Sequence, residues 1–339
     1  MSWQQQLPNH ESVHVTTDWK LALRHAYRDP FAVIDALGID ATTLNIDPNP
    51  RFSFLVPHEY VQKMRRGDPN DPLLRQVLPL LDENMPTPDY SADPNLEDLF
   101  QPQAGLLEKY AHRVLIVATG GCAVNCRYCF RRHFPYQDAV GRQRVADIIE
   151  TLKTRPDVHE VILSGGDPLI LDDSVLHTLV CEIERIDHIQ RIRIHTRLPV
   201  VIPQRVTKRF VSALAQSRLK PVIVLHINHA QEIDTSLIAH LELLRRSGIQ
   251  LLNQSVLLKG INDNVAALFD LSNALFQAGI LPYYVHLLDK VAGSAHFDVS
   301  ERIARQLESA LRDSLPGYLV PKFVREIPQS SGKTPLQLI

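Results

Sequence analysis

From residue 113 onward the chain alternates between two patterns. Short apolar, β-branched runs occur at Arg113–Thr119 (RVLIVAT), 158–163 (VHEVIL), Arg191–Thr196 (RIRIHT), 221–227 (PVIVLHI), 250–258 (QLLNQSVLL) and 282–288 (PYYVHLL). Between them, 172–186, 203–217, 232–247 and 264–278 carry apolar residues at helical spacing. Pro203 suits the first turn of its helix, and Gly248 and Gly279 suit the positions just past two others. Strands alternating with helices predict a parallel α/β sheet with right-handed crossovers. Eight such units close a TIM-like barrel; six predict an open, partial (βα)6 barrel.

The first 105 residues read differently. Amphipathic stretches are short, at 19–26 and 57–65. They give way to GDPNDPLLRQVLPLLDENMPTPDYSADPNLEDLFQP, with seven prolines between Pro69 and Pro102. That density prevents long helices and favours an extended connection lying on a surface. The expected organisation is a helical, Pro-rich N-terminal region (1–105), a barrel (106–328) and a C-terminal loop (329–339).

Composition narrows the function classes. The 339 residues are 45% hydrophobic and 22% charged, ordinary for a globular protein. A net charge of −2 provides no basic field for nucleic acid. The start, MSWQQQLPNHES, has no basic stretch leading into an apolar run, so a secretory signal is not expected. The longest uncharged run, 271–288, is broken by Asn273, Gly279, Pro282 and His286 and predicts no membrane span. A cytoplasmic location follows as the expectation, with thiols kept reduced.

Each predicted strand is followed at once by polar or glycine-rich sequence: GGCAVNCRYC, SGGDP (164–168), TR (196–197), NH (228–229), KGIND (259–263) and Asp289. In parallel α/β folds the active site forms at the carboxyl ends of the strands. Six segments pointing to one rim predict an enzyme.

Three of the four cysteines, Cys122, Cys126 and Cys129, share the first of these loops with C-x3-C-x2-C spacing. Three thiolates can hold three irons of a 4Fe-4S cube and leave the fourth open to a ligand. The alternatives are a zinc site completed by a donor such as His133, or a non-catalytic metal-binding module. Cys181, at an apolar position of a predicted helix, is expected to be a core thiol.

The cysteine spacing, with Tyr128 before the last cysteine and Gly165-Gly166-Asp167 ending the second strand, resembles the radical S-adenosylmethionine superfamily. The resemblance implies that the open iron binds S-adenosylmethionine, and that Tyr128, Gly165, Gly166 and Asp167 lie at that cofactor. A narrower resemblance is carried by RVLIVATGGCAVNCRYCFRRHF, VILSGGDPL, TRLPVVIPQRV, HINH, NQSVLLKGIND, PYYVHLLD and SGKTP, in that order. It is to the lysine 2,3-aminomutase family.

That family implies pyridoxal 5′-phosphate bound through Lys333, with Arg113 and Lys109 near its phosphate. It implies Arg131 for the substrate carboxylate, and Asp289 with Glu326 for the distal ammonium of L-lysine. Glu326 stands where lysine-specific relatives have aspartate, and His286 where they have tyrosine. The implied reaction is a 5′-deoxyadenosyl radical conversion of L-lysine to β-lysine. The missing cysteine-rich tail resembles the branch that makes (R)-β-lysine for elongation factor P and its β-lysine ligase. An (S)-β-lysine-forming or other amino acid aminomutase is the alternative. An electron donor such as a flavodoxin is the further implied partner.

Overall fold

A computed structural model of the chain describes residues 18–139 and 141–336. The segments 1–12 and 337–339, which enter the expectations above, lie wholly or partly outside the described residues.

Nine strands form one sheet in chain order. They are β1 (Leu106–Tyr110), β2 (Arg113–Thr119), β3 (Glu160–Gly165), β4 (Arg191–Thr196), β5 (Lys220–His226), β6 (Gln250–Val256), β7 (Leu281–His286), β8 (Lys322–Arg325) and β9 (Thr334–Pro335). Strands β2 to β8 pair in parallel; β1 and β9 lie antiparallel at the two edges. The partial barrel therefore has one more parallel strand than the six predicted. The extra strand, KFVR, is four residues long and too short to show a period.

Helices fill the crossovers. Asp234 and Asn264 accept the hydrogen bonds that start Thr235–Arg246 and Val265–Gln277, at 2.7 and 2.9 Å. Gly248 and Gly279 follow those helices with φ of 75°, as expected of helix-ending glycines. Pro203 does not open a long helix. It begins a one-turn 3-10 segment, Pro203–Arg205, and the helix starts at Lys208 because Thr207 caps it.

Period-two alternation sorts the sheet's faces. On β4, Ile192 and Ile194 join the apolar core beneath the helices. Arg191, Arg193 and His195 take the opposite, inner face, where Arg193 pairs with Glu160 of β3 at 3.0 Å. The N-terminal region is not a separate body. Its Val33, Ile34, Leu37, Tyr60, Leu73 and Leu74 belong to the same core cluster as Ile116, Ile192 and Leu225 of the sheet. This places a Pro-rich, irregular strand of chain directly against the rim.

Candidate active site

The cysteine loop leaves β2 and is held against the end of β3 by backbone contacts. Gly166 N–H donates to Thr119 O and Asp167 N–H to Gly121 O, both at 2.7 Å. A Cβ on Gly166 would sit 2.3 Å from the Gly121 carbonyl oxygen, and Gly165 has φ of 121°. Only glycine permits this approach. The buried Asp167 carboxylate then ties β3 to β4. It accepts from Leu169 N–H (3.0 Å), Thr196 Oγ1 (2.7 Å), Arg197 N–H (2.8 Å) and Leu198 N–H (2.9 Å). Burial nevertheless outweighs these bonds and raises its pKa.

The three thiols share one loop and feel one another's charge, but among the described residues no three His, Cys, Asp or Glu side chains are drawn together as metal ligands. Burial is the main force pushing Cys122 and Cys129 up, the latter to about 11, and the neighbouring sulfurs add to it. Arg197 donates to Cys126 Sγ at 2.8 Å. The same guanidinium meets Glu232 at 3.0 Å, Gln76 at 2.7 Å, Tyr60 at 2.8 Å and the Tyr128 hydroxyl. Tyr128 is thus buried in a polar network that also includes Asn228 Nδ2, at 2.6 Å. His133 is occupied elsewhere, with Nε2 at 3.1 Å from Ala292 O. Cys181 is not a core thiol. It is partly exposed on the helix Asp173–Glu184, with Sγ 3.7 Å from the His177 ring.

A second cluster gathers at the edge where β9 folds back on β8. Glu326 is its hub. It pairs with Lys333 Nζ at 3.1 Å and Lys109 Nζ at 2.7 Å, and accepts from the Tyr110 hydroxyl. Burial would raise the Glu326 pKa, but Lys333, Lys109 and Tyr110 together hold it below the usual value. Lys333 Nζ also lies 5.6 Å from the centre of the Tyr284 ring. Arg113 rests on the Tyr110 ring at 4.6 Å and pairs with no carboxylate among the described residues.

The inner face beside Lys333 is polar. His195 (β4), His226 (β5) and His286 (β7) are kept neutral, their pKa values lowered by burial first and by the Lys333 charge as well. For His226 the value falls to about 3. His226 shares a 3.0 Å hydrogen bond with Gln254, whereas Nε2 of His195 and of His286 has no partner.

The remaining two predicted residues are covered by the N-terminal region. Arg131 is buried and makes a bidentate pair with Glu97, at 2.8 and 2.7 Å, plus a 3.1 Å bond to Ser164 Oγ. Asp289 has its pKa pushed up to about 6, by burial first; Lys333 and Asn95 oppose this, while Glu326 and Glu97 add to it.

Residues 116–271, which include all three cysteines, match the model of the Radical SAM superfamily. The chain is 47% identical to an L-lysine 2,3-aminomutase of Escherichia coli (strain K12), over 95% of each chain. It is 44% identical to one of Haemophilus influenzae, over 97% of this chain and 98% of the relative. The chain belongs to the L-lysine 2,3-aminomutase family. A radical SAM methyltransferase structure from Sphaerobacter thermophilus is more distant, with 18% identity, 65% and 68% coverage and a TM-score of 0.46.

As an aminomutase of this family the chain is an isomerase, and its predicted residues fall into three groups. The cysteines and the glycine turn form one, Lys333 with Lys109, Arg113 and Glu326 the second, Arg131 and Asp289 the third. Five residues at the site carry no role from the sequence reading: His195 and Gln254 on the inner face, Arg197 at Cys126, and the pair Asn95 and Glu97. For the first two a signal existed. RIRIHT alternates polar and apolar, whereas strands buried on both faces are continuously apolar. Polar residues at every second position mark a strand whose inner face lines a site.

Proposed function

We propose that this enzyme converts L-lysine to β-lysine with S-adenosylmethionine, a 4Fe-4S cluster and pyridoxal 5′-phosphate. The observation that carries the reading is the charge layout around Lys333. One buried guanidinium, Arg131, and one largely enclosed carboxyl, Asp289, lie on the same rim. That pair suits a molecule with a carboxylate at one end and an ammonium at the other. Glu326 is already engaged by two lysines and a tyrosine, so Asp289 carries the distal ammonium.

The residues fit the three cofactors. Cys122, Cys126 and Cys129 supply three sulfurs from one loop, and the nearby His133 is committed to a carbonyl. This supports a cluster with an open iron, where S-adenosylmethionine would be held beside Gly165, Gly166, Asp167 and Tyr128. Lys333 supplies the amine for pyridoxal phosphate. Arg113, without a carboxylate partner, and Lys109 supply cations for its phosphate. The orphaned Nε2 atoms of His195 and His286 are buried polar groups that a ligand would satisfy. When bound, these groups supply a radical initiator and an electron sink. The protein orients the substrate through Arg131 and Asp289 and excludes water under the N-terminal strap.

The same proposal includes the (R) product for elongation factor P and its ligase, a one-electron donor of the flavodoxin type and a cytoplasmic location. Glu326 in place of aspartate supports that branch. The test is anaerobic incubation with L-lysine, S-adenosylmethionine, pyridoxal phosphate and dithionite, followed by chiral analysis. No β-lysine refutes the activity; (S)-β-lysine refutes the branch.

A further inference from the structure

The two residues assigned to the ends of the substrate are both already in contact with one short piece of chain. Glu97 holds Arg131 by two charge-assisted bonds, at 2.8 and 2.7 Å. Asn95, two residues earlier, is buried, lines the same cavity as Asp289 and helps to lower its pKa. Between them Leu96 adopts a left-handed conformation, φ 49°. A residue with a side chain resists that conformation, so flanking contacts must impose it.

The rest of this strap is loosely held. Of residues 91–100, only Asn95 is buried. Leu96 and Leu99 are 40% and 65% exposed. Ser91 anchors its start, donating to Lys290 O at 3.0 Å and accepting from Ala292 N–H at 2.8 Å, but beyond Ser91 the backbone bonds are internal, such as Leu96 N–H to Asp93 O at 3.4 Å and Leu99 N–H to Leu96 O at 3.1 Å. The strap is also one wall of a cavity of about 480 Å³ whose lining includes Asn95, Asp289 and Glu326. Swinging it outward would expose little apolar surface and would leave Glu97 in water, where a carboxylate is well solvated.

We propose that Glu97 is an internal stand-in for the substrate carboxylate, and that lysine binds by exchanging with it on Arg131. This rests on the assignment of Arg131 given above. The charge count favours exchange over addition. Glu97 neutralises the guanidinium, so a second carboxylate brought to the same place would meet an uncompensated negative charge in a poorly hydrated site. Asn95 plays the corresponding part at Asp289, as a neutral amide in place of an ammonium. The gate therefore reads both ends of its ligand. A molecule with a cation but no carboxylate can displace Asn95 yet cannot displace Glu97.

The test is ligand binding to the holoenzyme, reconstituted with cluster and pyridoxal phosphate but without S-adenosylmethionine, read from the pyridoxal absorbance. The ligands are L-lysine and 1,5-diaminopentane, which keeps both amines and lacks the carboxylate. A site occupied from within binds more weakly by the fraction of molecules in which it is free. Glu97→Gln should therefore tighten L-lysine by roughly five-fold or more and leave the diamine within about two-fold. Unchanged or weakened lysine binding overturns the gate, as does equal tightening of both ligands. In the wild-type protein, saturating L-lysine should speed chymotrypsin cleavage at Leu96, Leu99 or Phe100; no change in cleavage also overturns it. If wild-type protein gives no response to L-lysine at all, the functional reading fails and the gate falls with it.

Discussion

Replacing Asp289 by asparagine should make the protein more stable and less able to bind its substrate. The carboxyl is largely enclosed, and its pKa is moved from 3.8 up to about 6. A proton held more tightly by the folded chain than by the unfolded one stabilises the fold while it is bound. That contribution is complete below about pH 4 and is lost as pH rises through about 6. A rise from 3.8 to about 6 corresponds to about 3 kcal/mol at most. Asp289 retains some solvent contact, so about 1–2 kcal/mol is the working figure. Asparagine keeps the shape and cannot ionise. At pH 7.5 the Asp289→Asn apoprotein should be about 1–2 kcal/mol more stable to urea, and at pH 4.5 the difference should fall to roughly a third to a half of that. L-lysine binding to the holoenzyme should weaken about a hundredfold, because the distal ammonium loses the carboxylate proposed to hold it. The measurements are urea melts followed by circular dichroism at both pH values, and a lysine titration. An Asp289→Asn protein that is less stable than wild type at pH 7.5 would refute the electrostatic argument. One that binds lysine normally would refute the assignment.

Three further outcomes separate the parts of the site. Lys333→Ala should lose the pyridoxal absorbance while keeping the iron–sulfur spectrum; retained turnover would contradict its role. Asp167→Ala strands four donors, three of them backbone N–H groups, and should cost about 3–5 kcal/mol in chemical denaturation; a loss under about 1 kcal/mol would show that the tie between β3 and β4 is incidental. Gly166→Ala forces a Cβ to within 2.3 Å of a carbonyl oxygen and should both lower the melting temperature and reduce the iron bound per chain; an alanine variant with full iron content would count against the close approach of the two loops.

How far the sequence carried depended on whether the signal was local. β2 to β7 are β-branched runs long enough to stand out, and each was placed within two residues of its observed start. β8 and β9 are held by their neighbours in the sheet, Val285 with Phe323 and Val324 with Pro335, and have little pattern of their own. The cysteines and Lys333 were readable because motif chemistry sits at fixed spacing. Glu326 was readable as a position, but its engagement with Lys109 and Tyr110 joins segments 216 or more residues apart and leaves no trace in either. The contact of Glu97 with Arg131 was hidden for the same reason. It joins an irregular, Pro-rich segment to a loop, and irregular chain carries no period from which its partner can be inferred.

That hidden contact belongs to a wider division of charge between the two regions. The cysteine loop contains three arginines, Arg127, Arg131 and Arg132, and all three side chains are buried or nearly so. None is neutralised by the barrel. Glu83 serves Arg127 and Arg132, at 2.6 Å each, and Glu97 serves Arg131 at 2.7 Å. Both carboxylates come from the N-terminal region. An isolated barrel would therefore hold three unpaired guanidiniums beside its thiols, an arrangement that desolvation makes costly. The prolines between Pro69 and Pro102 now acquire a purpose: they keep the chain extended enough for Glu83 and Glu97 to reach different arginines of one loop. Two carboxylates against three guanidiniums leave one positive charge in surplus. Three thiolates and the sulfides of a cluster bring negative charge to the same place, so the surplus suits the loaded site better than the empty one. Releasing Glu97 to admit a substrate adds a second positive charge, and the incoming carboxylate cancels it. The charge balance around the loop is thus restored at each step by whichever anion occupies Arg131, first the strap and then the substrate.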